Sequence, residues 1–230
     1  MANRKQTKSE QTRQRILAAA AKIVGKYGYA KASVTRITME AGIASGGFYY
    51  YFKSREDIFD ELLPALGKEM IAFITERLKG AGWGIEREAR SFEAYLAYLR
   101  SRPEFYRVYS EAYVYARSAY NKHLSAVIPN FVTALEIQKR KGYLNVKDGE
   151  LRMLAYFLVG IRNYVSQLLM ERTGKVTADI WPAVELYRNL IAGKIFASPA
   201  SSTASASEKV MRRPARVASR RTEPAEAPGD

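Results

Sequence analysis

The chain has 230 residues, 47% of them hydrophobic and 26% charged, the composition of a folded, soluble protein with room for a small domain joined to a larger one. It contains no cysteine, which excludes disulfides, thiolate nucleophiles, thiol redox switches and cysteine-bound metals together. The net charge of +14 is unevenly placed: residues 1–55 hold eleven Lys/Arg against two acids, whereas residues 56–197 hold twenty against seventeen. A positive field focused in one quarter of the chain attracts polyanions, either nucleic acid or an anionic membrane surface. No apolar run reaches the roughly 18 residues of a membrane span, and the polar start MANRKQTKSE has no signal-peptide core, so a cytoplasmic location is expected.

Apolar positions recur at helical spacing and no stretch alternates with period two, so the chain reads as all-α. The first predicted helix runs from Glu10 to Lys26, with Ser9 as its N-cap, Gly28 as its stop and a stripe of Ile16, Ala20, Ile23, Val24 and Tyr27. A short helix over Val34–Ala41 follows, capped by Ser33; Gly42 makes a turn, and a third helix covers Ser45–Tyr51. A longer helix opens at Ser54 with Glu56 and Asp57 in its first turn, where acids suit the helix dipole; Pro64 should kink it. After the glycine-rich loop 80–84, helices are expected over 85–100, 103–115, 119–141, 149–172 and 179–196, with Pro129 interrupting or kinking the third of these. From Ser198 onward the sequence is rich in Ala, Ser and Pro and too poor in large apolar residues to order itself.

Two short helices joined by a glycine turn behind a longer helix form a helix-turn-helix, whose second helix enters the major groove while the first crosses the phosphate backbone. Within residues 9–62, Ala41-Gly42-Ile43 is followed by Gly46-Gly47-Phe48-Tyr49-Tyr50-Tyr51-Phe52-Lys53-Ser54-Arg55-Glu56-Asp57. This string resembles the tetracycline-repressor (TetR/AcrR) family of transcriptional regulators across the whole N-terminal domain. The rest of the chain is similar only in length and helical character. The resemblance implies an N-terminal three-helix domain (residues 1–55), a C-terminal multi-helix ligand-binding and dimerisation domain (56–197) and a disordered tail (198–230). The partners it implies are a palindromic double-stranded operator, a second copy of the chain and a small hydrophobic or aromatic inducer (or an acyl thioester), with repression as the simpler outcome.

Individual residues can be given roles on this basis. Ser33, Thr35 and Ser45 sit near helix N-termini, which favour phosphate. Tyr49 and Lys53 match the family positions that touch the DNA backbone, and Arg55 adds a charge beside them. Base reading falls to Thr35, Arg36, Ser45, Gly47 and Tyr50, with Gly46 completing the set, whereas Phe48 and Phe52 pack inward with Ile37, Ala41 and Ile43. Three residues depart from the family pattern: Ala44 stands where a Ser commonly caps the recognition helix, Gly47 replaces a Thr or Ala that often touches DNA, and Tyr51 replaces a common His. The operator sequence is therefore not transferable from relatives.

The middle helices are rich in aromatic residues. Phe105, Tyr109, Tyr113, Phe131 and Tyr156 are candidates to line an apolar pocket, with Arg162, Asn163, Gln167 and Glu111 as polar anchors; the plainer reading of such a stripe is core. The last two helices carry more apolar surface than one small domain needs, which the resemblance assigns to a dimer. His123, the sole histidine, is read as surface or structural, and neither a cofactor nor a metal is expected. Two rival readings are an enzyme and a basic helical protein bound to a membrane surface. The first lacks a phosphate loop, nucleophile elbow or ligand cluster, and the second lacks an aromatic-studded apolar face on the basic first helix.

Overall fold

Helix-forming stretches interrupted by glycine turns give an all-helical structure. The computed structural model describes residues 8–170, 176 and 179–196; among these, nine α-helices and no strand occur. They are α1 (Lys8–Tyr27), α2 (Val34–Ala41), α3 (Ser45–Tyr51), α4 (Arg55–Arg77), α5 (Ile85–Ser101), α6 (Glu104–Tyr115), α7 (Arg117–Arg140), α8 (Leu151–Met170) and α9 (Trp181–Ile191). The expected tail, 198–230, lies outside the described residues.

Local chemistry sets most of the boundaries. The Ser33 hydroxyl accepts from the Arg36 amide (3.3 Å) and so starts α2, and Gly42, at φ 64°, ends it in the left-handed conformation that glycine adopts without strain. Ser54 does the same for α4, accepting from Asp57 N (3.1 Å) while the Asp57 carboxylate accepts from Lys53 N (2.9 Å). Ser9, the expected cap of α1, lies instead inside a helix that begins at Lys8. Neither proline breaks its helix: α4 continues through Pro64 and α7 through Pro129, because packing on both sides outweighs one lost backbone bond. α8 starts at Leu151, after a single 3-10 turn over Asp148–Glu150. α9 is shorter than its apolar pattern, ending at Ile191, where Gly193 (φ 69°) turns the chain and Lys194 N closes onto Asn189 O.

The described residues through Lys194 pack as one compact unit. α1 lies against α2, α4 and α6; α4 also packs on α5 and α7; α8 and α9 cover α7 and α5. The apolar core is continuous, from Ile16, Val24, Ile37, Phe48 and Phe52 through Leu62 and Leu66 of α4 to Phe92, Leu96, Phe105 and Val108. Each of these large side chains contributes on the order of 1.5–3 kcal/mol by leaving water. α4 is thus the element shared by the helix-turn-helix and the larger helical bundle.

Candidate nucleic-acid interface and adjoining cavity

A seven-residue helix cannot hold itself together in water, so α3 depends on what its inner face buries. That face is Phe48, fully buried, with Phe52 just beyond the helix; their ring centroids are 5.7 Å apart. The Arg13 guanidinium covers the Phe52 ring at 4.7 Å and pairs with Glu61 of α4. Ile37 and Ala41 complete the buried side, as the apolar spacing predicts.

With Phe48 pointing inward, the helical period turns Gly46, Tyr49 and Tyr50 outward, and Ser45, in the first turn, is exposed as well. Tyr49 is 60% and Tyr50 79% exposed, values that for aromatic side chains on a small helix leave an uncovered surface. Tyr49 packs edge-on to Phe48 (5.4 Å) and Tyr50 edge-on to Tyr51 (5.0 Å), so both rings are braced while remaining accessible. Lys53 is exposed immediately after the helix. Ser33, Thr35 and Arg36 are exposed on α2; Arg36 lies over the Tyr27 ring at 4.6 Å. Arg55 is half-buried, bonded to Glu56 (3.2 Å) and placed over Phe59. Ala44 occupies the N-cap of α3 without any side-chain bond, and the Ser45 hydroxyl, the alternative cap, lies 3.4 Å from that of Thr38 instead. A Cβ added at Gly46 or Gly47 would meet nothing within 4 Å, so neither glycine is required by packing. Met39, 76% exposed on α2, was not singled out by sequence, since its position continues no polar or aromatic pattern.

Behind this surface the bundle encloses a small cavity of about 30 Å³, lined by Tyr95, Phe105, Tyr109, His123, Phe131, Arg162 and Asn163 together with Met70 and Ile74 of α4. A larger one, about 240 Å³, lies between α4, α5 and α7 and shares Met70, Ile74, Val127 and Phe131 with it. Five of the residues proposed from sequence for ligand contact meet here: Phe105, Tyr109, Phe131, Arg162 and Asn163. Asn163 Nδ2 donates to the Tyr109 hydroxyl at 2.8 Å.

Four others do not reach it. The inward row of α8 is Leu151, Ala155, Leu158, Arg162, Ser166 and Met170; Tyr156 and Gln167 each follow a member of that row by one residue, rotating them about 100° onto the exposed side. Tyr113 sits in the last turn of α6, exposed, with the Arg117 guanidinium 3.9 Å over its ring. Glu111 also faces away from the cavity, accepting from Tyr29 N (2.9 Å) and Arg107 Nε (2.6 Å) where α6 meets α1.

Burial governs the chemistry of the cavity wall. His123 is buried between Phe105 and Tyr109, and desolvation lowers its pKa to about 4, leaving it neutral near pH 7. It is structural, as expected, but interior. Tyr95 is pushed up to about 12 by burial, although the Ser166 hydroxyl and the nearby Arg162 pull the other way. Burial also opposes the charge of Arg162, yet Glu88, 2.8 Å away, more than compensates and holds the guanidinium protonated. Tyr95 belongs to the tyrosine-rich set that the sequence offers for a pocket, whereas Glu88 was missed because it lies about seventy residues from Arg162, its partner on α8.

The comparisons agree with this geometry. Residues 16–62, covering α1 to the first turns of α4, match the model of the bacterial regulatory proteins, tetR family. The fatty acid metabolism regulator protein of Bacillus subtilis (strain 168) is 28% identical over 141 residues, 59% of this chain and 64% of that protein. The HTH-type transcriptional regulator AcrR of Shigella flexneri is 32% identical over 62 residues, 27% of this chain and 29% of its own length. The chain thus spans less than two thirds of these relatives. Among solved structures, the transcriptional regulator FadR from Bacillus subtilis in complex with stearoyl-CoA superposes with a TM-score of 0.69 at 19% identity, over 80% of this chain and 99% of that one. FadR from Bacillus halodurans gives 0.66 at 20% identity, over 82% and 96%. At that identity the likeness to the solved structures establishes the fold, and the helix-turn-helix of residues 16–62 is that of the tetR-family model.

Proposed function

We propose that the protein is a ligand-responsive transcriptional repressor that binds a palindromic operator as a homodimer and is released by a hydrophobic or aromatic small molecule, an acyl thioester included. The observation that carries this reading is the outer face of α3, where Tyr49, Tyr50 and Lys53 stand exposed in the most basic quarter of the chain. Nothing in the fold of the described residues needs those side chains. Ser33, Thr35, Ser45 and the glycine face of α3 extend the same surface, and Arg36 and Arg55 can join it by leaving Tyr27 and Phe59. The domain division at about residue 55 assigns reading to α1–α3 and sensing to α4–α9, in a cytoplasmic regulator rather than an enzyme.

The dimer reading rests on α8 and α9. Met153, Phe157, Tyr164 and Leu168 are exposed at helical spacing on one side of α8, and Trp181, Leu186 and Leu190 are exposed on α9. An uncovered apolar face of this extent is what a two-helix contribution to a four-helix interface requires. The relative solved with stearoyl-CoA favours a ligand with an acyl chain.

The test begins by selecting genomic fragments bound by the full chain, then measuring affinity for the selected duplex against salt. Binding that weakens steeply with salt is expected, since each neutralised phosphate contributes about 0.9 to the logarithmic slope. Lys53→Ala should weaken binding to every duplex alike and lower the slope by about one per subunit. Duplex affinity unchanged in Lys53→Ala would remove α3 as the reading surface.

A further inference from the structure

The side chains of α2 and α3 limit which bases they can recognise. In the major groove Arg or Lys suits guanine, Asn or Gln adenine, and Glu or Asp cytosine, whereas apolar groups suit the thymine methyl. From Ser33 to Tyr51 the chain has no Lys, Asn, Gln or Asp, and its only charged residues are Arg36 and Glu40. These two stand one turn apart on α2, and both turn to α1. Arg36 lies over the Tyr27 ring at 4.6 Å, and Glu40 accepts from Lys22 Nζ at 3.2 Å.

The hydroxyls do not fill the gap. Ser33 is engaged as the cap of α2, and the Ser45 hydroxyl lies 3.4 Å from that of Thr38. A lone hydroxyl both donates and accepts, so it does not by itself tell one base from another. What stays exposed is apolar surface or bare backbone. Thr35 and Met39, one turn apart, form the exposed row of α2 beside Arg36 and Glu40. On α3 the Tyr50 ring stands out, braced edge-on by Tyr51. Gly46 and Gly47 have open space beside them, so no side chain there holds the helix off the floor of a groove.

We infer that α2 and α3 read the operator through thymine methyl groups. Tyr50 supplies the main contact and Thr35 and Met39 the flanking ones, so the base pairs touched in each half-site are A·T. Tyr49 and Lys53, on the phosphates, set the register without choosing among sequences. This deepens the proposed regulator, on which it rests, by assigning its operator class.

The test takes the duplex selected by the full chain and replaces single thymines by deoxyuridine, which lacks the C5-methyl group. Single guanines are replaced by 7-deazaguanine, which lacks the N7 acceptor. At one or more symmetric thymine positions deoxyuridine should weaken binding about fourfold, the worth of one buried methyl group, and about fifteenfold when both half-sites are changed. 7-Deazaguanine should change affinity by less than about twofold at any position. Tyr50→Ala should abolish the deoxyuridine effect at one of the sensitive positions, while Tyr50→Phe, which keeps the ring and loses the hydroxyl, should preserve it. Both variants should unfold like the parent, because the ring is exposed. Indifference to deoxyuridine at every thymine, or a deoxyuridine effect undiminished in Tyr50→Ala, would overturn the inference. So would a guanine whose 7-deaza form binds about tenfold more weakly in the parent but not in Arg36→Ala, since Arg36 would then be the reader. Failure to select any duplex refutes the regulator reading itself; a selected duplex indifferent to deoxyuridine refutes only this inference.

Discussion

Gly67 lies in the middle of α4, where an alanine would ordinarily stabilise a helix by about 1 kcal/mol. Here the opposite is expected. A Cβ at this position would stand 2.6 Å from Cε1 of His123, about an ångström inside normal contact, and the imidazole is itself confined by Phe105 and Tyr109. Overpacking of this kind costs roughly 1–3 kcal/mol, so after the gain in propensity Gly67→Ala should be net destabilising by up to about 2 kcal/mol, or lower Tm by up to about 8 °C for a protein of this size. Urea and thermal unfolding followed by helical circular dichroism give the value directly. The contact predicts more than a sign: in Gly67→Ala with His123→Ala the methyl group has room, so the pair should be less destabilised than the two single changes added together. A stable Gly67→Ala, or strict additivity in the double variant, would show that α4 and α7 are not held apart by this ring.

At Gly47 the space is open, and Gly47→Ala should therefore stabilise the protein by up to about 1 kcal/mol in the same unfolding assays. Lowering pH from 6.5 to about 4 protonates histidine in the unfolded chain but not buried His123, whose folded pKa is depressed; the stability present above pH 6.5 should thus fall by up to about 1.4 kcal/mol per pH unit across that window. His123→Gln should flatten this fall, and a variant whose pH profile parallels the parent would refute the assignment. Leu168→Glu, on the exposed face of α8, should shift the protein toward monomer in analytical ultracentrifugation and weaken duplex binding, with unfolding of the protomer little changed.

The sequence by itself determined the helix-turn-helix. Its signals are local: hydroxyls at Ser33 and Ser54 that cap helices, Gly42 in the left-handed conformation that other residues avoid, and a period that buries Phe48 and Phe52 while exposing Tyr49 and Tyr50. Such features need no knowledge of distant residues. The same reasoning went astray where a one-residue phase matters, as for Tyr156 and Gln167 on α8. Only the tertiary structure decided the cavity. Arg162, Glu88, His123 and Gly67 come from four helices and carry no shared motif; what makes them one site is that a buried charge must find its opposite and a ring must find a glycine, conditions that chain spacing does not record.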